Sequence, residues 1–273
     1  MVGLWMCAAC DAPSTKAQEG DETQSSKKGD DTDPAGSGKA TRKKGKKAGN
    51  RKQGKQKSGD DDVLKVKLRF HLLRSDYDRI NTSAKRGDVE KWLEGINTVW
   101  KVANIQFELD KVLVEEIDEG VDAFKNAVEK LVADKEKHGR GKYKPPRKLK
   151  KKKNDTRAAM LPKGSRIDRG IDIYVMHELF NAGGIWNCGA RAVFFGEKRK
   201  DDANEEVLAH EIGHAFALGH VPCAKDANLM MVPCKDRTPD NPTLRAEQIA
   251  TARRIAKTGR PRECKKGERS PHD

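Results

Sequence analysis

The stretch HEIGHAFALGH, residues 210–220, limits the fold more than any other part of the chain. His210 and His214 are four apart, so on a helix their imidazoles lie on one face, one turn above the other. Glu211 projects at a different angle. His220 joins the pair only under a condition. On a continued helix it would lie about 9 Å beyond His214 and point about 80° away from His210. The three rings meet only if the chain leaves the helix after Ala215 and swings back. Gly219 offers a residue free to take the backbone angles this needs.

The flanking sequence supplies a scaffold. Leu64, Val66, Leu68, Phe70 and Leu72 alternate with Lys65, Lys67, Arg69 and His71, a half-buried strand with His71 on its polar face and without a role. Asp88 stands where it can cap a helix. Val89, Trp92, Leu93, Ile96, Val99 and Trp100 form its apolar stripe, both tryptophans reading as core. Ile105, Phe107 and Leu109 return to period two. Val121, Phe124, Val128, Leu131 and Val132 mark a further helix, which runs into KHGRGKYKPPRKLKKKKND. That stretch is basic and broken by prolines, and reads as an exposed loop. Residues 111–160 therefore read as a basic insertion.

GIDIYVM (170–176) and ARAVFFG (190–196) read as a third and a fourth strand. Gly183, Gly184 and Gly189 between them mark a flexible or tightly turned connection. Asp202 or Asn204 can cap the helix that carries the histidines, and Glu205 and Glu206 suit its first turn. Thr243 can cap a last helix, which Gly259 and Pro261 end. The expected fold is α+β: a twisted mixed sheet of four to five strands, a helix bearing the candidate site, and a C-terminal helix.

Charge is high over the 273 residues, with a net +14 and 5% aromatic content, so part of the chain cannot fold. Residues 1–62 have almost nothing to bury, and residues 39–57 are basic and free of acids. Residues 1–62 and 265–273 are expected to be disordered, around a folded domain at 63–264. No apolar run of eighteen residues exists to span a membrane. The opening MVGLWMCAAC reads either as the end of a truncated secretory signal, with Cys10 at a lipoprotein-like anchor site, or as a terminus with two stray cysteines. Cys188, Cys223, Cys234 and Cys264 suit two disulfides in an oxidising compartment. Cysteine zinc ligation competes, but the usual C-x2-C spacing is absent. An extracytoplasmic location, secreted or envelope-anchored, is the expectation.

His210, Glu211, His214 and His220 resemble the signature of the metzincin zinc proteases, H-E-x-x-H-x-x-G-x-x-H followed by a Met-turn. Downstream, ANLMMVPC looks like that turn, with its methionine at Met230 and Met231 as second choice. The likeness spans residues 63–259 and resembles a bacterial, matrixin-like type. It implies one catalytic zinc held by His210, His214 and His220, with Met230 as a hydrophobic base beneath it. Glu211 is the implied general base, taking a proton from a zinc-bound water that attacks a peptide carbonyl. It also implies a peptide paired along an edge strand at 190–196 and a substrate pocket walled near Val232 and Pro233. A disulfide between Cys223 and Cys234 would pin the Met-turn, leaving Cys188 for Cys264.

Two departures stand out. The family's glycine falls on Ala217, where positive φ would cost alanine on the order of 1 kcal/mol or more, unless the turn slips to Gly219. The tyrosine that some members carry after the turn is Val232 here. Glu247 on the last helix is the alternative third ligand. Nothing in the residues calls for calcium, and nothing bars it. His177-Glu178 repeats the dipeptide, but Asn181 stands where a second ligand belongs, so no chemistry is assigned.

The expected function is a monomeric zinc metalloendopeptidase acting on protein or peptide. The alternatives are a non-catalytic zinc-containing binding module, and a binder of nucleic acid or anionic surfaces through the basic runs.

Overall fold

A computed structural model describes residues 62–138, 145–162, 164–180, 182–198, 204–222, 227–231 and 242–263. All of them belong to one compact unit. Residues 39–57, Cys7 and Cys10 lie outside the described residues, as does the stretch 265–273.

The elements run β1 (Leu64–Arg74), α1 (Arg86–Trp100), β2 (Ile105–Glu116), α2 (Val121–Lys137), α3 (Arg147–Ala159), β3 (Ile171–Met176), β4 (Gly184–Asn187), β5 (Ala192–Gly196), α4 (Asn204–Ala215) and α5 (Ala246–Ala256). They build an α+β fold on one five-stranded mixed sheet, ordered β2-β1-β3-β5-β4. The first four strands are parallel, and β4 runs antiparallel to β5 at the edge.

Both sheet faces are covered, which the alternation in β1 did not foretell. One face carries Val66, Leu68, Phe70, Ile173, Val193 and Phe195 against α1, α4 and α5. The other carries Leu73, Tyr174, Met176 and Phe194 against α2 and the end of α3. Residues Phe70, His71, Leu72 and Leu73 are therefore all buried.

His71 is the clearest correction to the half-buried reading of β1, since it is fully buried. Its Nδ1 lies 2.7 Å from Glu115 Oε1 on β2, and its Nε2 lies 3.0 Å from Asp172 Oδ1 on β3. A buried ring survives because both nitrogens find partners. Tyr174 stacks on it at 4.3 Å, and burial, then Asp172, raise the tyrosine hydroxyl's pKa above its ordinary value.

The basic stretch read as an exposed loop is in part helix: α3 takes Arg147–Ala159. Its buried side is made of Lys153 and Arg157. The Arg157 guanidinium lies 4.4 Å from the Phe194 ring centroid. Lys153 Nζ donates to the Phe180 carbonyl at 3.3 Å. Long aliphatic stems cover apolar surface here, so a helix that looks polar throughout still has a packing face.

Four smaller readings also change. Gly184 does not sit in a connection but opens β4. β5, expected as the edge strand, is interior, and the edge on its side of the sheet is β4. Asp88 is not the cap of α1, because the helix starts at Arg86. Its carboxylate instead accepts the Lys85 N–H from three residues inside, at 2.8 Å. Thr243 does not cap α5, whose cap position is Arg245. Thr243 pairs its backbone with the segment 227–229. Asp202 lies outside the described residues.

Candidate metal centre

Helix α4 bears the first two histidines and is clamped from several sides. Trp100 of α1 donates its indole N–H to the Ala209 carbonyl, 3.3 Å away and one residue before His210. Trp100 and Phe107 pack against Phe216, just past the helix, with ring centroids 5.3 Å and 6.1 Å away. Both tryptophans of α1 are buried in the core, as expected.

The helix ends as it must for His220 to return. Ala217 takes the left-handed conformation, with φ 66°. The Leu218 N–H donates back to the Gly213 carbonyl at 3.0 Å, and the Ala217 N–H to the His214 carbonyl at 3.0 Å. These two bonds form a Schellman turn with alanine in the position that favours glycine. The turn does not slip to Gly219.

The chain then brings His220 back. The three Nε2 atoms stand 3.1 Å (His210 to His214), 3.1 Å (His214 to His220) and 3.2 Å (His210 to His220) apart. His214 is fully buried, and the other two rings are half-buried. His210 Nδ1 donates to the Leu229 carbonyl at 2.7 Å, and His214 Nδ1 to the Leu218 carbonyl at 2.8 Å. A carbonyl only accepts, so each of these rings carries a proton on Nδ1, and in the neutral ring the Nε2 lone pair is the one turned inward. Bare lone pairs at this distance repel one another unless a cation lies between them. Nitrogens bound tetrahedrally to one zinc at the usual bond length are themselves about 3.3 Å apart. The donor type, the tautomers and the spacing therefore fit a zinc-like ion.

Glu211 is buried, with 3% exposure. One carboxylate oxygen accepts the backbone N–H of Trp186 on β4 at 2.6 Å. Gly184 of the same strand packs against its stem, where a Cβ would fall 2.6 Å from Glu211 Cγ. Close approach of edge strand and helix is thus possible only without a side chain at 184.

Next to Leu229, whose carbonyl bonds His210, Met230 is fully buried and Met231 nearly so. Met230 is the one that packs under α4: its Sδ and Cε occupy the space a Cβ at Gly213 would need, the Cε lying 3.1 Å from that position. Asn228 and Gln248, which carried no sequence signal, hold this turn. The Asn228 amide donates to Gln248 Oε1 at 2.8 Å, and its own oxygen accepts the Met230 N–H at 2.9 Å.

Other candidates fall elsewhere. Glu247 is exposed on the first turn of α5. His177 turns to Glu197 at 3.2 Å, and Glu178 pairs with Arg79 at 2.8 Å. Among the described residues, His210, His214 and His220 are the one group placed to hold a metal ion. Cys188 is buried, but Cys223, Cys234 and Cys264 lie outside the described residues, as do Val232 and Pro233, so neither expected pairing nor the expected pocket wall is described.

No protein-family model matches the chain, and neither does any curated protein. Solved structures offer slight likenesses. An archaemetzincin from Methanopyrus kandleri is 14% identical, with TM-score 0.41 over 69% of this chain and 94% of that one. A zinc-dependent peptidase from Methanocorpusculum labreanum is 16% identical, with TM-score 0.36 over 68% of this chain and 99% of that one. A chain in a chaperone–substrate complex is 11% identical, with TM-score 0.39 over 72% of this chain and 38% of that one. At these scores the likeness decides nothing, and the case for the site stands on its own geometry.

Proposed function

We propose that the protein is a zinc-dependent metallopeptidase of metzincin type, with His210, His214 and His220 as ligands and Glu211 as general base. The observation that carries this reading is the convergence of three imidazole nitrogens, two with their tautomers fixed by carbonyls, beside a buried carboxylate on the same helix.

When bound, zinc supplies a Lewis acid that polarises a carbonyl and makes water acidic enough to give a nucleophile near neutral pH. The rest falls to the chain. Glu211 takes the proton from the attacking water and passes it to the leaving amine. The Trp186 N–H donates to one of its oxygens and so fixes the orientation of the carboxylate that moves that proton. Substrate alignment falls to β4. The Gly196 N–H donates to the Gly183 carbonyl, so period two turns the backbone groups of Gly184 away from β5, while the Trp186 N–H, facing the same way, is taken by Glu211. An extended peptide pairs with such an edge through its own backbone, which makes unfolded polypeptide the substrate class.

The test uses purified full-length chain. One tightly held zinc per chain is expected, together with cleavage of an unfolded protein. Activity should vanish with a chelator and return with zinc. Glu211→Gln should keep the metal and lose activity by about 100-fold or more, while His220→Ala should lose the metal. A chain that holds zinc and cleaves nothing would instead be a binding module. Polynucleotide binding that needs residues 39–57 and ignores zinc would favour the third class.

A peptidase unit at 63–264, a monomeric state, the lipid anchor at Cys10 and a location outside the cytoplasm belong to the same proposal. Thiol counting, sizing in solution and fractionation test them.

A further inference from the structure

We infer that Asn228 and Gln248 are positioning residues for the metal centre, through which α5 sets the height of the turn beneath the histidines. The inference rests on reading His210, His214 and His220 as ligands.

The two amides are buried, with 2% and 8% exposure, and they bond reciprocally. Asn228 Nδ2 donates to Gln248 Oε1 at 2.8 Å, and Gln248 Nε2 donates to Asn228 Oδ1 at 3.2 Å. Each oxygen takes a second donor as well. Asn228 Oδ1 accepts the Met230 N–H at 2.9 Å, and Gln248 Oε1 accepts the Arg245 N–H at 2.8 Å. Burying two primary amides is costly unless they are bonded in this way. An apolar pair would fill the space without that demand, but it would not set direction or distance.

What the pair controls lies next to it. Leu229 follows Asn228, and its carbonyl accepts the Nδ1–H of His210 at 2.7 Å. That bond decides which nitrogen of His210 faces the ion. Met230 follows Leu229 and fills the space beside Gly213 of α4. The link runs from α5 through Gln248 and Asn228 to Leu229 and Met230, and from there to His210. Loss of an amide lets the turn move, which frees the His210 ring and lowers the affinity of the whole site.

The experiment compares Gln248→Met, close in shape but without the amide, with Asn228→Asp, which keeps the acceptor for Met230 and loses the donor to Gln248. Asn97→Ala serves as a control. Asn97 clamps the Phe107 backbone with bonds of 2.6 Å and 3.0 Å between α1 and β2, and neither bond reaches the histidines or the turn at 228–230. Zinc affinity is measured per folded molecule by competition with a coloured chelator, and the site geometry by the visible spectrum of the cobalt(II)-loaded chain. The expected loss is about 10- to 100-fold in zinc affinity for both amide variants, with a changed cobalt spectrum. Asn97→Ala should unfold more easily yet bind zinc like the parent. If Gln248→Met does not fold, Asn228→Asp decides alone. Parental affinity in the amide variants, or an equal loss in Asn97→Ala, overturns the inference and leaves the metal site standing. A parent chain that binds neither ion overturns the reading of the site itself.

Discussion

The carboxylate of Glu211 is held by the backbone N–H of Trp186 at 2.6 Å, so the proposed base and the edge strand are one mechanical unit. The same strand that would align a peptide also orients the group that would move its proton. Gly184, two residues earlier, makes the approach possible.

A side chain at 184 should separate these functions. In Gly184→Ala the new Cβ would lie 2.6 Å from Glu211 Cγ and 2.8 Å from Val207 Cγ1, so either the strand or the carboxylate must shift. Misplacement on the order of 1 Å can cost roughly 100-fold in rate. Peptidase activity should fall by about that factor while zinc stoichiometry stays at the parental value. Parallel kinetics and metal analysis check this.

Gly213→Ala tests the methionine beneath the site. Alanine gains about 1 kcal/mol over glycine in a helix interior, but here its Cβ meets Met230 Sδ and Cε. Overpacking typically costs about 1–3 kcal/mol, so the clash should win. The variant should be less stable in urea and bind zinc more weakly than the parent.

Ala217→Gly should act in the opposite direction. Ala217 sits at φ 66°, where a Cβ is strained. Glycine removes the strain and adds freedom to the unfolded chain, which offsets part of the gain. A net stabilisation of about 1 kcal/mol in urea unfolding is expected, with the zinc site intact.

Lys153 predicts a pH effect on the other sheet face. Burial, then the nearby charges of Arg157 and Lys150, push its amine from an ordinary 10.5 down to about 7. The unfolded chain thus binds the extra proton between about pH 7 and 10.5, and this group's contribution to stability rises with pH across that window. Below about pH 7 the folded state bears the full cost of a buried charge. Lys153→Met should therefore raise Tm more at pH 6 than at pH 10, as scanning calorimetry at both values will show.

The candidate site was legible because helix geometry is local. The four-residue spacing of His210 and His214, and an excursion before His220, follow from helical rise and rotation alone. The supports were not legible. Asn228 and Gln248 are twenty residues apart, and two amides carry no periodic signal before the chain brings them together. Helix α3 is illegible in the sequence for a related reason. Lys153 and Arg157 pack through their stems, which a polarity pattern counts as solvent-facing. Likewise β4 is four residues long and opens on a glycine, so it read as a turn until β5 paired with it.

By itself the sequence determined the donor types, their spacing along α4 and the need for a break after Ala215, because side-chain chemistry and helical period are properties of the local chain. Only the tertiary structure decided that Ala217 rather than Gly219 makes the turn, that Met230 rather than Met231 packs under Gly213, and that β4 holds Glu211. Those outcomes depend on which distant surfaces come into contact, and contact between surfaces is settled by packing in three dimensions.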